Sequence, residues 1–498
     1  MSVLSLLVFL PLLAAIVLGS LQGRLRGRSA TWVWVAVSGV ELLLTVGLWI
    51  GYDGSHGADY QERVRWIPGV SSSYHVGVDG LSLPLVGLTA LLFFVCAVYS
   101  LGPGRSRANF AALFLFLETT SLGLFVSLDL ILFFVFFDLS IVGMYFVIAG
   151  WGHTGAARAA LKFFLYTFLG SLALLLGFIG LYVASAPHTF DMVTLAANPP
   201  LEGRPLLAGL VLLALGIGLA VKTPLFPFHT WLPAAHTEAP SAGSAILAGI
   251  LLKMGTYGFV RIAMPMLPEA WSRWSGVVLV VAVVSILWGA LVALAQTSFK
   301  RMVAYTSVNH MGYVLLGLGA AGATGGDDAA KAVAVTGAVT QMVSHGLITG
   351  ALFLLAGVMW ERRETYEMDT YGGVAALAPR FALLLAVASF ASLGLPALSG
   401  FIAEFQIFAG SLGPAPVATA LSLLGILVTA GLFLLALQRV LLGESRSAGR
   451  RFADLRVYET ASIAPLVLLS LVIGVAPRWL LDVIEPAART LVAAVSSG

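Results

Sequence analysis

The sequence predicts an all-α integral membrane protein of about 14 transmembrane helices, with two inverted five-helix repeats and with helices 7 and 12 broken. Three observations carry that reading. Of the 498 residues, 59% are hydrophobic and only 10% are charged, whereas soluble domains carry roughly 25% charge. Apolar runs of about 20 residues, enough to cross a hydrocarbon core of roughly 30 Å, recur along the chain. Two of those runs are interrupted by proline and glycine. The composition also excludes several classes. A lone cysteine, Cys96, leaves no disulfide framework, zinc finger or all-cysteine iron–sulfur cluster. A net charge of +3, scattered over short loops, gives no nucleic-acid footprint.

The first run, Ser2 to Ser20, has no basic residue before it and is followed by Arg24, Arg26 and Arg28. That is not the form of a secretory signal, and it places the N-terminus outside. The spans then read 3–20, 30–51, 79–100, 108–126, 128–151, 158–186, 205–231, 241–266, 272–296, 299–322, 329–360, 378–411, 416–442 and 460–484. Loops after odd-numbered spans hold fifteen Arg and Lys, among them Arg105, Arg107, Arg158, Lys300, Arg301, Arg362, Arg446, Arg450 and Arg451. Loops after even-numbered spans hold five: Arg63, Arg65, Arg204, Arg273 and Lys331. The positive side is cytoplasmic, so both termini face out. The chain divides into N-terminal helices 1–3 (1–107), a first five-helix unit (108–266), a second (267–442), and a C-terminal loop with helix 14 (443–498).

Five basic residues fall inside spans. Arg261 and Arg439 lie near helix ends and can snorkel to the interface. Lys162 stands close to the inner end of its span, whereas Lys222 and Lys253 lie deep in theirs. A central lysine costs at least about 2.5–3.5 kcal/mol to insert, so it needs a partner, water or a purpose. Acidic residues match them: Asp138 in an otherwise apolar stretch, Glu118 central in the preceding span, and Glu404 in Gly400-Phe-Ile-Ala-Glu404-Phe. Glu41 is alone in helix 2, where a packing carboxyl and a functional one are both open readings. His310 and His345 sit at the midpoints of helices 10 and 11, placed as stations on a proton path. With no carboxylate or cysteine at ligand spacing, metal binding is not expected.

Helix 7 contains Lys222-Thr-Pro224-Leu-Phe-Pro227-Phe-His229, and helix 12 contains Gly394-Leu-Pro396-Ala-Leu-Ser-Gly400. Proline removes a backbone donor and clashes with the preceding turn. Backbone freed at membrane depth survives only where it is buried in protein or lines a wet cavity. Five helices separate the breaks, so spans 4–8 and 9–13 form equal units, each broken in its fourth member. An odd helix number turns the second unit upside down, the arrangement of inverted-repeat transporters with the ion site near the broken helices.

The block Lys222-Thr-Pro-Leu-Phe-Pro-Phe-His229-Thr-Trp-Leu-Pro-Ala-Ala-His236-Thr-Glu-Ala-Pro240, followed by Leu-Ala-Gly-Ile-Leu-Leu-Lys253-Met-Gly, resembles the core of the antiporter-like subunits. These are the proton-translocating membrane chains of respiratory complex I (NADH:quinone oxidoreductase), related dehydrogenases and multisubunit cation/proton antiporters. Asp79-Gly-Leu-Ser-Leu, Leu161-Lys162-Phe-Phe, Tyr305-Thr-Ser-Val-Asn-His310-Met-Gly and Gln341-Met-Val-Ser-His345-Gly agree in order. The length and the acidic Glu404 resemble one branch of the family. Its sister chains L and N, and the antiporter homologues, usually carry lysine there. The L chain also bears a long extra amphipathic helix, and this chain stops soon after helix 14. Two positions depart from the pattern. Asp138 stands where glutamate is usual, which leaves a direct or a water-bridged pair with Lys222 open, and Ala234 stands for an aspartate in the loop after helix 7.

The resemblance implies that Asp138 holds protonated Lys222, that Lys253 receives or relays the proton, and that His310 and His345 bridge through water. Glu404 would then deliver it to the outer half-channel, with Lys162 and His229 in supporting roles. The chain would be a non-redox translocase subunit in a bacterial plasma membrane, driven by quinone reduction in other subunits and packed against the L and N chains. No cofactor is expected here, since no glycine-rich dinucleotide turn follows a strand; flavin mononucleotide and iron–sulfur clusters would belong to partner subunits. The competing expectations are a subunit of a sodium/proton antiporter or membrane-bound hydrogenase, and a scaffold whose buried charges only fix helix packing.

Overall fold

Why fourteen crossings fit into one chain is visible in a computed structural model, which describes residues 3–21, 28–54, 57–102, 108–444 and 452–497. Arg24, Arg26, Arg105, Arg107, Arg446, Arg450 and Arg451 of the loop-charge pattern lie outside the described residues. Among the described residues, eleven helices are long and apolar enough to cross a membrane: Val3–Ser20, Ser29–Gly51, Ala108–Val126, Leu130–Trp151, Ala156–Ala184, Pro205–Lys222, Ser241–Met266, Pro268–Leu294, Asp328–Arg363, Pro416–Leu441 and Val457–Val475. The shorter Leu83–Tyr99, the more polar Phe299–Gly322, and the pair Pro379–Ser392 and Ser399–Leu412 occupy the remaining three places.

Both expected breaks are present. The first lies between Pro205–Lys222 and the short helix Leu232–Glu238. Its freed groups find partners: Trp231 Nε1 donates to Val221 O at 3.0 Å, and Phe226 N donates to Ser285 Oγ at 3.0 Å. The second lies between Ser392 and Ser399, where the hydroxyls of Ser344, Ser399 and Ser470 form a chain with both links at 2.7 Å. Ala234, expected in a loop, sits inside the short helix. The first break is buried from Lys222 to Leu225, whereas the second exposes Leu395, Pro396 and Ala397 between buried flanks at Ser392 and Ser399.

The axis of the fold is Asp328–Arg363, 36 residues long, with its most apolar stretch wholly buried. It packs against Phe299–Gly322, Ser399–Leu412, Val457–Val475 and Arg478–Ser497. Because every side faces protein, it accommodates polar Thr340, Gln341, Ser344, His345 and Thr349, all buried. The neighbouring helix Ser241–Met266 contains two π-helical stretches, Leu247–Leu251 and Phe259–Ala263, with Lys253 between them. Such local widenings are frequent at functional sites.

Four features correct the sequence reading. The last span ends at Val475, and a separate helix runs from Arg478 to Ser497. Proline at 477 stops the first helix, and the second buries the stripe Leu480, Ile484, Ala488, Leu491, Val492 and Val495 while its other face is polar. The chain therefore does carry an amphipathic C-terminal helix, of 20 residues. A two-stranded antiparallel hairpin, Asp59–Ile67 with Ser72–Val78, adds a small β element to an otherwise helical fold. Lys300 and Lys331, counted as loop charges, are buried within Phe299–Gly322 and Asp328–Arg363.

Candidate proton-transfer site

Lys222 ends its helix at the edge of the first break and is 2% exposed. Its Nζ donates to Ser140 Oγ at 2.8 Å and lies 4.5 Å from the Phe137 ring centroid. Asp138, on the same Leu130–Trp151 helix, acts on Lys222 through space, but its Oδ1 is buried without a hydrogen-bond partner. The contact pair is thus lysine–serine, with the carboxylate behind it. Aspartate at 138 is one methylene shorter than the glutamate usual in the family, and the hydroxyl of Ser140 takes up the position against the ammonium.

Lys253 is fully buried. Its Nζ donates to Ala248 O at 2.5 Å, within the first π stretch, and lies 2.6 Å from His345 Nδ1. The helices of the two lysines touch: a Cβ added at Gly255 would collide with Thr223 and Leu219 of the Lys222 helix. Beyond His345, the two imidazole rings of His345 and His310 lie 5.5 Å apart between centroids. His310 Nδ1 is 3.4 Å from Glu404 Oε1 and 3.2 Å from Gln341 Nε2, while its Nε2 is 3.1 Å from Ser392 Oγ. His310, His345, Gln341, Ser392 and Glu404 line a small cavity of about 10 Å³, about the space of a single water.

That arrangement has chemical consequences. In a neutral His310, Nδ1 accepts from Gln341 and Nε2 donates to Ser392. A proton added at Nδ1 converts that nitrogen to a donor and directs it at the Glu404 carboxylate. His345 Nε2 is buried without a partner, so it is free to exchange with whatever occupies the cavity. Lysine, histidine, histidine and carboxylate form one line, with contact geometry at both ends and a water-sized gap in the middle.

Sequence reasoning missed three members of the surroundings. His236 is fully buried, stacked on Phe353 at 4.5 Å, and neither ring nitrogen has a partner. Lys300 Nζ donates to Ala239 O at 2.6 Å and lies 3.4 Å from Tyr366 Oη. Gln341 orients His310 as described. Lys300 was hidden by its place beside Arg301 at the end of an apolar run, and His236 by the prolines around it. The loop histidine His153 registers the Lys300 charge: burial first, then Lys300, bring its pKa down to about 4. Lys162 and His229 are brought together at the first break but not onto the line. Lys162 Nζ donates to Thr230 O at 2.7 Å, and His229 Nε2 accepts from Trp288 Nε1 at 3.1 Å.

A membrane bundle with two broken helices and an internal row of titratable side chains defines a class, the ion-translocating membrane proteins built on discontinuous helices. The chain belongs to a particular family of that class, the one described as NADH:quinone oxidoreductase/Mrp antiporter, TM, which it matches over residues 127–430. It is 38% identical to NADH-quinone oxidoreductase subunit M of Rickettsia prowazekii (strain Madrid E) over 497 residues, covering 98% of each chain. It is 37% identical to F(420)H(2) dehydrogenase subunit M of Methanosarcina mazei, covering 96% of each. Among solved structures it is similar to a chain of respiratory complex I from Thermus thermophilus with bound NADH, with a TM-score of 0.89, 32% identity and 99% of each chain covered.

Proposed function

We propose that this chain is a proton-translocating membrane subunit of an NADH:quinone oxidoreductase, the counterpart of subunit M. The observation that carries the reading is the line Lys253–His345–His310–Glu404, with 2.6 Å at one end and 3.4 Å at the other. Lys222 holds a proton against Ser140 under the field of Asp138. When that field is withdrawn by a movement or charge change in a neighbouring chain, the buried ammonium gives its proton up toward Lys253. His345 and His310 pass it across the cavity, and Glu404 releases it to the outer side. The energy comes from quinone reduction elsewhere in the complex, and the chain itself performs no redox step. Flavin and iron–sulfur groups belong to its partners, the L and N chains are its neighbours, and it lies in a bacterial plasma membrane with both termini outside. Residues 108–266 and 267–442 act as the two inverted units.

The test is proton translocation per quinone reduced, in vesicles reconstituted with the whole complex. Glu404→Gln keeps shape and hydrogen bonding but cannot titrate, so it lowers coupled turnover in an assembled complex, while Glu404→Asp retains part of it. Unchanged rate and stoichiometry in the Gln variant would make Glu404 structural and move the exit elsewhere.

A further inference from the structure

Away from that line, two acids are buried among the N-terminal helices with no cation beside them among the described residues. Glu41 on Ser29–Gly51 and Glu118 on Ala108–Val126 are both 0% exposed. The helices run side by side in the same direction. Trp34 packs against Phe110 and Phe114, with the nearer centroid at 4.7 Å, and one turn later Ser38 Oγ donates to Glu118 Oε2 at 2.6 Å. Glu41 follows Ser38 by a further turn, which brings the two carboxyls within each other's field. Both oxygens of Glu41 and Oε1 of Glu118 are buried with no hydrogen-bond partner.

Among the described residues, the helices packed around the pair offer no charge to neutralise it. Val3–Ser20 has no ionisable residue. Leu83–Tyr99 brings the Cys96 thiol, 3.8 Å from Ala242 O, and Tyr99, whose hydroxyl is bound to Leu354 O. Leu130–Trp151 carries Asp138 and Tyr145, adding a further acid. On Ser241–Met266, Lys253 is committed to His345 and Ala248, and Arg261 is paired with Asp79 at 2.6 Å. An ionised carboxylate left unpaired at this depth is costly, and two adjacent ones are costlier still, so the pair retains protons. A merely structural acid would use its oxygens as hydrogen-bonding groups, and three of these four have no partner.

We propose that Glu41 and Glu118 form a proton-binding acid pair, a second titratable site beside the Lys222–Glu404 line, which takes up and returns a proton within the N-terminal helices. Infrared difference spectroscopy of the intact complex across its stable pH range tests this. A protonated-carboxyl C=O band that changes with pH is expected, and it is lost in Glu118→Gln or Glu41→Gln. Spectra in which wild type and both variants coincide at every pH overturn the proposal.

Should neither variant assemble, dicyclohexylcarbodiimide on the wild-type complex decides. A protonated acid adds across one C=N bond: its proton goes to nitrogen and its oxygen bonds the central carbon. The O-acylisourea so formed rearranges to a stable N-acylurea with nothing lost. Label on the Glu41 or Glu118 peptide that fades at alkaline pH supports the site; unlabelled peptides beside labelled carboxyls of other membrane helices in the complex overturn it.

Discussion

Ser140 is the residue that sequence alone gives no reason to notice, and it decides how Lys222 is held. Its hydroxyl, 2.8 Å from Nζ, also donates to Phe137 O at 2.6 Å, so its lone pairs are aimed at the ammonium. A hydrogen bond to a charged group contributes about 1.5–3 kcal/mol, and each 1.36 kcal/mol or so is tenfold in rate. Ser140→Ala is therefore expected to slow coupled proton translocation by roughly tenfold or more, measured in inverted membrane vesicles at equal assembly. Asp138→Asn should be at least as damaging, because it removes the field that favours the charged lysine, while Asp138→Glu should be tolerated. If Ser140→Ala pumped normally while Asp138→Asn did not, the working state would hold Lys222 through the carboxylate and not the hydroxyl.

At the scale of single elements, the broken helices show both what the sequence makes legible and what it hides. The breaks were legible because Pro224, Pro227, Gly394 and Pro396 interrupt apolar runs that nothing else would interrupt. The depth of Lys222 and Lys253 was legible for the same reason: charge inside such a run has to be accounted for. The separate Arg478–Ser497 helix was not, because Leu480 and Leu481 prolong the apolar pattern past Pro477. The hairpin was hidden too, since Asp59–Ile67 is polar and mostly exposed. Nor does any spacing rule reveal that Gly394 shapes the site. Its φ is +77°, and a Cβ there would stand 2.7 Å from Glu404 Oε2. Gly394→Ala thus adds left-handed strain of about 1–2 kcal/mol and pushes the carboxylate away from His310. The expected outcome is a fall in coupled turnover by about tenfold or more with the complex still assembled. Ala397→Gly is the matched control: Ala397 already has a φ of +73°, so glycine relieves strain and turnover is kept. Equal behaviour of the two variants would show that the second break has no part in setting Glu404.

For the molecule as a whole, the hairpin is a clasp that ties distant parts of the chain together outside the membrane. Asp129 accepts from Ser72 Oγ and Ser73 N, both at 3.0 Å, and also caps Leu130–Trp151 through Ile131 N at 2.9 Å. Asp191, N-cap of the short helix Met192–Ala197, accepts from Thr194 N at 2.8 Å, contacts His75 Nδ1 at 2.7 Å and lies 3.4 Å from Arg63. One carboxylate thereby joins the hairpin to the connection between Ala156–Ala184 and Pro205–Lys222. Burial pushes Asp191 upward, but the hydrogen bonds from His75 and Thr194 outweigh it and bring its pKa to about 2, from an ordinary 3.8. A depressed carboxylate contributes stability that is complete above its unfolded value and is lost as pH falls through its folded value. The clasp should therefore be indifferent to pH near neutrality and loosen only as pH drops from 3.8 toward about 2. Asp191→Asn removes the charge at every pH and should destabilise the hairpin by about 1–3 kcal/mol, the range for a broken buried hydrogen-bond network. Hydrogen exchange of the backbone amides in 59–67 and 72–78, corrected for intrinsic rates, reads both effects in the intact complex. Wild-type protection should hold from neutrality to about pH 4 and then decline, and the variant should show lowered protection from neutrality down to about pH 4. Wild-type protection already lost well above pH 4 would instead show that the Asp191 charge does not hold the clasp.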